Sequence, residues 1–210
     1  MREQQEGRAT DTRERILREA SRLYLTGSYE AVSMQVIADH LHISKATIFH
    51  HFTNKQELFF EMWLMNFARF QQLLQDAVGR PEPVSSLAQL RSIMQCLALI
   101  SGFDMSRVLQ DVSVFLSPEQ QEEFRRGGRA IFTIMHQVLE KGIERGELKP
   151  HNTQLAASAL LQMGRLLPSS AHPYPVLQAS LSQDAAIDTL LDMLLNGLNT
   201  EQERRSTSAD

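Results

Sequence analysis

Residues 33–52 read Ser-Met-Gln-Val-Ile-Ala-Asp-His-Leu-His-Ile-Ser-Lys-Ala-Thr-Ile-Phe-His-His-Phe. Met34, Ile37, Ala38 and Leu41 fall at i, i+3, i+4 and i+7, one apolar face of a helix over 33–41 with Ser33 as its N-cap. After His42-Ile43 a second short helix runs from Ser44 to about Phe52. Its start is small and polar (Ser44, Lys45, Ala46, Thr47), whereas Ile48 and Phe52 supply a buried side. Two short helices joined by a tight turn, preceded by a supporting helix, are what a helix-turn-helix requires. Small side chains let a backbone approach the major groove, and Lys and hydroxyl groups donate to phosphates and base edges. The pattern implies double-stranded DNA as a partner.

Working outward, Ile16, Ala20, Leu23 and Tyr24 form the stripe of the supporting helix, with Asp11 and Glu14 as a capping pair at its start and Gly27 as its stop. Asn54 and Glu57 cap a long helix carrying Leu58, Phe59, Met62, Trp63, Met65, Phe67 and Phe70. Residues 79–83, with Gly79, Pro81 and Pro83, break it. Helices are expected over 85–100 and around 104–115. Ser117-Pro118-Glu119-Gln120 is a strong start signal (cap residue, proline in the first helical position, Gln at the third), opening a helix to about Arg145 with Gly146 at its end. A helix over 153–167, a loop enforced by Pro168, Pro173 and Pro175, a last helix over 184–198 and a polar, frayed tail from Thr200 complete the chain. The fold class is all-α with about nine helices: a three-helix domain over 1–53 and a larger helical bundle over 54–210.

The 210 residues are 42% hydrophobic, enough to bury a sizeable core. Net charge is −4, yet residues 1–58 hold eight Lys/Arg against eight acids, so the first part is the less acidic. If it meets DNA, geometry replaces bulk charge. No leader-like start and no apolar run of spanning length is seen, and the single Cys96 suits a reducing cytoplasm. His40, His42, His50 and His51 do not converge as a tetrahedral metal site would, so no metal is expected. No catalytic constellation, phosphate loop or cofactor motif is present, which argues against an enzyme.

The run Thr12–Leu58 resembles the DNA-binding domain of TetR-family repressors. The family pattern appears here as Ile16, Ala20, Leu23-Tyr24, Ser33-Met34, Ile37-Ala38, the run Ile43–Phe52 apart from Ala46 and Phe49, Lys55 and Leu58. The resemblance implies phosphate contacts at Ser33 and Lys55, and base-edge contacts at Lys45, Ala46 and Thr47 beside Ser44. His50 matches a position that touches backbone or base. Four departures stand out: Ser28 where a helix-ending glycine is usual, His42 in place of the turn glycine, Ala46 in place of a recognition-helix glycine, and Phe49 in place of a tyrosine that commonly meets phosphate. His51 offers a replacement donor near Phe49.

The resemblance further implies a small-molecule effector held in the bundle. Met62, Trp63, Phe67, Met94, Phe103, Met105, Phe115 and Met135 are read either as ordinary core or as the lining of an apolar effector cavity. Asp104, Arg107, Asp111 and His136 are read as solvated in preference to a polar contact on that ligand. A symmetric homodimer is implied, with Ala156, Leu160, Gly164, Ile187, Leu191, Leu194 and Leu195 at its interface. The function expected is a repressor released from a palindromic operator by an apolar ligand. The alternative is a helical ligand-binding or adaptor protein with weak or lost DNA binding.

Overall fold

Helix boundaries follow the capping chemistry written in the chain. Ser33 Oγ accepts from Val36 N at 3.1 Å and starts the second helix; Ser44 Oγ accepts from Thr47 N at 3.0 Å and starts the third. Between them His42 takes the left-handed conformation (φ 54°, ψ 43°), and its N–H and that of Ile43 close on Asp39 and Ala38 carbonyls. Ser117 and Gln120 form a reciprocal capping box: Gln120 N donates to Ser117 Oγ at 3.3 Å, and Ser117 N to Gln120 Oε1 at 3.0 Å.

The computed structural model describes residues 2–79, 84–100, 104–164, 166–167 and 182–196. Among these residues it has nine α-helices and no strand, so the all-α class holds. The helices are α1 (Arg2–Thr26), α2 (Met34–Leu41), α3 (Lys45–His51), α4 (Lys55–Val78), α5 (Ser86–Ile100), α6 (Met105–Phe115), α7 (Pro118–Glu144), α8 (Thr153–Gly164) and α9 (Gln183–Asn196). Two boundaries differ from expectation: α8 ends at Gly164, before the expected 167, and α1 starts at Arg2, well before Asp11. The intervening Glu, Gln, Arg and Ala residues are good helix formers, so the helix continues through the supposed cap. The expected loop at 168–175 and the tail from 200 lie outside the described residues.

Contacts divide the chain into two units. The first comprises residues 1–71 and 103–130, the second 72–102 and 131–210. Hence α6 and the first half of α7 group with the helix-turn-helix, although sequence reading placed them beyond residue 53. In the first unit, Ile16, Tyr24, Ile37, Ile48, Leu58, Met62 and Val108 are among the buried residues of one continuous core. In the second, α5 is central: α8 and α9 both pack on it, and Leu90, Ile93 and Leu97 of α5, Leu160 of α8 and Ile187 of α9 are buried. Gly164 permits the α5–α8 approach, since a Cβ there would lie 2.7 Å from that of Leu97.

Candidate nucleic-acid interface

The orientation of α3 is set by what it buries. Ile48 and, at its C-terminal cap, Phe52 are essentially inaccessible within the core made with α1 and α2. Ser44, Lys45, Ala46, Phe49 and His50 are left exposed. Phe49 is 47% accessible, large for an aromatic residue, and the Lys45 ammonium lies 5.8 Å from its ring centroid. The hydroxyls of Ser44 and Thr47 are 2.8 Å apart, so both are engaged at the helix start. The rings of His50 and His51 meet edge-on at 5.3 Å. Partial burial, then the neighbouring His50 and Arg13 charges, lower the His51 pKa.

The expected DNA contacts are therefore not equivalent. Lys45, Ala46, Phe49 and His50 share the exposed side of α3. Ser33, Ser44 and Thr47 hold the helix starts. Lys55 turns back: its Nζ donates to the Glu30 carbonyl at 3.3 Å and lies 4.3 Å from the Tyr29 ring centroid. Desolvation there pushes its pKa down. Arg13, which sequence reading passed over, is 5.1 Å from the centroid of the Phe52 ring and pairs with Glu61 at 2.6 Å. It tethers α1 to the end of α3 and to α4, and no motif in the sequence signals this.

A second arrangement lies beneath the helix-turn-helix. Asp111 of α6 is buried and accepts from the Tyr24 hydroxyl at 2.6 Å. Burial, reinforced by that carboxylate, pushes the Tyr24 pKa well up. Arg107 Nη2 donates to the Tyr24 carbonyl at 3.2 Å, with its guanidinium 5.4 Å from the Tyr24 ring centroid. Phe115 stacks on Tyr29 at 3.9 Å. The reading of Asp111 and Arg107 as solvated is thus corrected: both face α1. The signal was present, because Val108, Asp111, Val112 and Phe115 form one i, i+3, i+4, i+7 stripe and Asp111 sits inside it.

The family model of bacterial regulatory proteins, tetR family, matches residues 16–62. A second, for the tetracyclin repressor-like C-terminal domain, matches residues 83–169. This chain belongs to the TetR family. As a TetR-family protein it is a helix-turn-helix transcriptional regulator. It is similar to the uncharacterized HTH-type transcriptional regulator YhgD of Bacillus subtilis (strain 168), 26% identical over 158 residues, spanning 73% of this chain and 80% of that protein. Its fold is similar to that of the transcriptional regulator FadR from Bacillus subtilis in complex with stearoyl-CoA (TM-score 0.67, 15% identity, 89% of this chain and 99% of that one). It is also similar to AibR in complex with isovaleryl coenzyme A and operator DNA (TM-score 0.68, 20% identity, 87% and 97%).

The remaining expected sites of this TetR-family regulator fall in both units. Met62 and Trp63 are buried in the first, where Trp63 meets Tyr24 at 5.8 Å and Phe124 at 5.6 Å. Phe67, Met105 and Phe115 pack around that core. Met94 and Met135 are fully buried in the second unit, and Phe103 lies outside the described residues. Of the expected interface residues, Leu160, Gly164, Ile187 and Leu191 are already buried within one chain. Ala156, Leu194 and Leu195, with Leu191 beside them, line an open groove of about 1000 Å³, together with Leu155, Leu87 and Arg91. Among the described residues no helix is long and apolar enough to cross a membrane.

Proposed function

We propose that this regulator is a homodimeric repressor that binds a two-fold symmetric operator and is released by an acyl-coenzyme A thioester. The observation that carries the DNA half is the exposed side of α3, held outward by buried Ile48 and Phe52. Two such helices in one dimer would meet successive major grooves about 34 Å apart. Residues 54–210 would supply the effector and dimerisation functions. The groove lined by Leu155, Ala156, Leu194 and Leu195 supports dimerisation, because Leu155, 69% accessible, needs a partner surface that one chain does not give it.

The ligand class is suggested by the two structural relatives holding stearoyl-CoA and isovaleryl coenzyme A. Their acyl chains differ widely in length, so chain length is the variable to test. Coupling would run through α6, which is fixed to α1 by Asp111 and Arg107. An effector that favours another α6 position would move the reading helices, and a differential affinity of about 1–3 kcal/mol suffices for a regulatory response.

The test is recovery of bound duplexes from genomic DNA with the full chain. Binding across a salt series and addition of acyl-CoAs from C4 to C18 would follow. Affinity that falls steeply with salt, a two-fold symmetric site and release by one range of chain lengths are expected. Operator binding untouched by every acyl-CoA would remove the ligand assignment. Absence of salt-sensitive binding would instead favour a helical ligand-binding protein without DNA affinity. The inward turn of Lys55 is the observation favouring that second reading.

A further inference from the structure

We propose that Phe49 reads sequence, its ring packing on the C5-methyl of a thymine in the major groove next to the base pair contacted by Lys45. This rests on the reading of α3 as the DNA-facing helix and adds to it a specific base.

Four exposed side chains are available on that side of α3: Lys45, Ala46, Phe49 and His50. The hydroxyls of Ser44 and Thr47 are bound to one another and to the helix start. Phe49 has no polar atom, so it cannot donate to a phosphate. In the major groove the exposed apolar group of a base pair is the thymine methyl, and apolar side chains discriminate T·A pairs through it. A phenyl ring left 47% accessible between a Lys and a His is poorly placed for water and well placed for that methyl.

Lys45 strengthens the assignment. It precedes Phe49 by one turn, and its ammonium 5.8 Å from the ring centroid holds the two side chains side by side. One helical turn rises about 5.4 Å, and base pairs stack about 3.4 Å apart, so the two residues reach the same or adjacent base pairs. Lysine pairs best with guanine O6 and N7. The expected signature within each half-site is therefore a guanine beside a thymine whose methyl matters.

The experiment uses the full chain and a duplex selected from a random library. Each thymine of one half-site, with its symmetry mate, is replaced by deoxyuridine, which removes the methyl and keeps the pairing. At one position the wild type should lose about 3- to 10-fold in affinity, at the lower end of a good base contact. Phe49→Ala should bind more weakly and be indifferent to that replacement, whereas Phe49→Tyr should keep the discrimination because the ring remains. Circular dichroism would establish that both variants fold, as expected for an exposed site. If no position separates wild type from Phe49→Ala while both bind in a salt-sensitive way, Phe49 contacts only sugar or solvent and the proposal is wrong. If no duplex is bound in a salt-sensitive way, the DNA-binding reading fails together with it.

Discussion

The hydroxyl of Tyr24 donates to the buried carboxylate of Asp111 at 2.6 Å, joining the C-terminal half of α1 to α6. Arg107, one turn before Asp111 on α6, donates to the Tyr24 carbonyl. The same tyrosine is therefore held at both its side chain and its backbone. The helix-turn-helix and α6 share one core, with Val108 and Val112 buried beside Ile16, Ile37 and Ile48.

Tyr24→Phe keeps the ring packed against Phe59 and Trp63 but leaves the Asp111 carboxylate without that donor. Loss of one partner of a buried polar pair costs about 1–3 kcal/mol, with charged groups at the upper end. Asp111→Asn keeps an oxygen acceptor and should cost less. Trp63 is the single tryptophan and lies 5.8 Å from the Tyr24 ring centroid, so urea unfolding followed by its fluorescence reads the site directly. Equal midpoints for wild type and Tyr24→Phe would show that the hydrogen bond contributes nothing.

Adjacent glycines in α7 should respond to the same substitution with opposite signs. A Cβ on Gly127 would fall 2.5 Å from the Phe67 ring, so Gly127→Ala forces two helices apart and should cost about 1–3 kcal/mol. A Cβ on Gly128 meets nothing within 4 Å. Gly128→Ala should therefore stabilise by about 0.4–1 kcal/mol through the reduced freedom of the unfolded chain. Thermal melts of the two variants decide it; a stabilised Gly127→Ala would mean that α4 and α7 are not so closely apposed.

The helix-turn-helix was legible because short-range information determines it: caps at Ser33 and Ser44, a stripe at Met34, Ile37, Ala38 and Leu41, and a turn at His42. What stayed hidden depends on partners distant in sequence. An apolar stripe says that Leu160, Ile187 and Leu191 are buried but not against what, and the structure buries them within one chain, on helices that pack on α5. The resemblance implies a phosphate contact at Lys55, yet Tyr29 and the Glu30 carbonyl hold its ammonium. Asp111 looked like a surface acid until Tyr24, 87 residues away in sequence, supplied its donor.

His42 occupies the left-handed region, where a side chain costs about 1–2 kcal/mol for most residues and less for those tolerant of it. His42→Gly should be neutral to about 1 kcal/mol stabilising, the relief of strain being offset by the freedom glycine gains when unfolded. His42→Val adds a β-branch where it is least tolerated and should lose about 1–2 kcal/mol. Denaturation midpoints of the three proteins should rank Gly at or above His, and His above Val. A valine variant as stable as wild type would mean that the turn adopts another conformation.

His51 gives the stability of the helix-turn-helix a defined pH dependence. Partial burial, with the charges of His50 and Arg13, lowers its pKa below the ordinary value of 6.5. Between the two values the unfolded chain binds the proton and the folded chain does not, so stability rises with pH across that window. The contribution is complete above the unfolded value and declines as pH falls through about 6.5 towards the lower folded value. His51→Asn removes the titrating group while keeping a polar side chain of similar size. Melting temperatures from pH 5 to pH 8 should fall more steeply for wild type than for the variant below pH 6.5, and the two curves should run parallel above pH 7. Phosphate nearby would favour the protonated ring, so the same comparison with operator DNA bound should show a smaller gap at low pH. Parallel curves across the whole range in free protein would show that His51 titrates alike in both states.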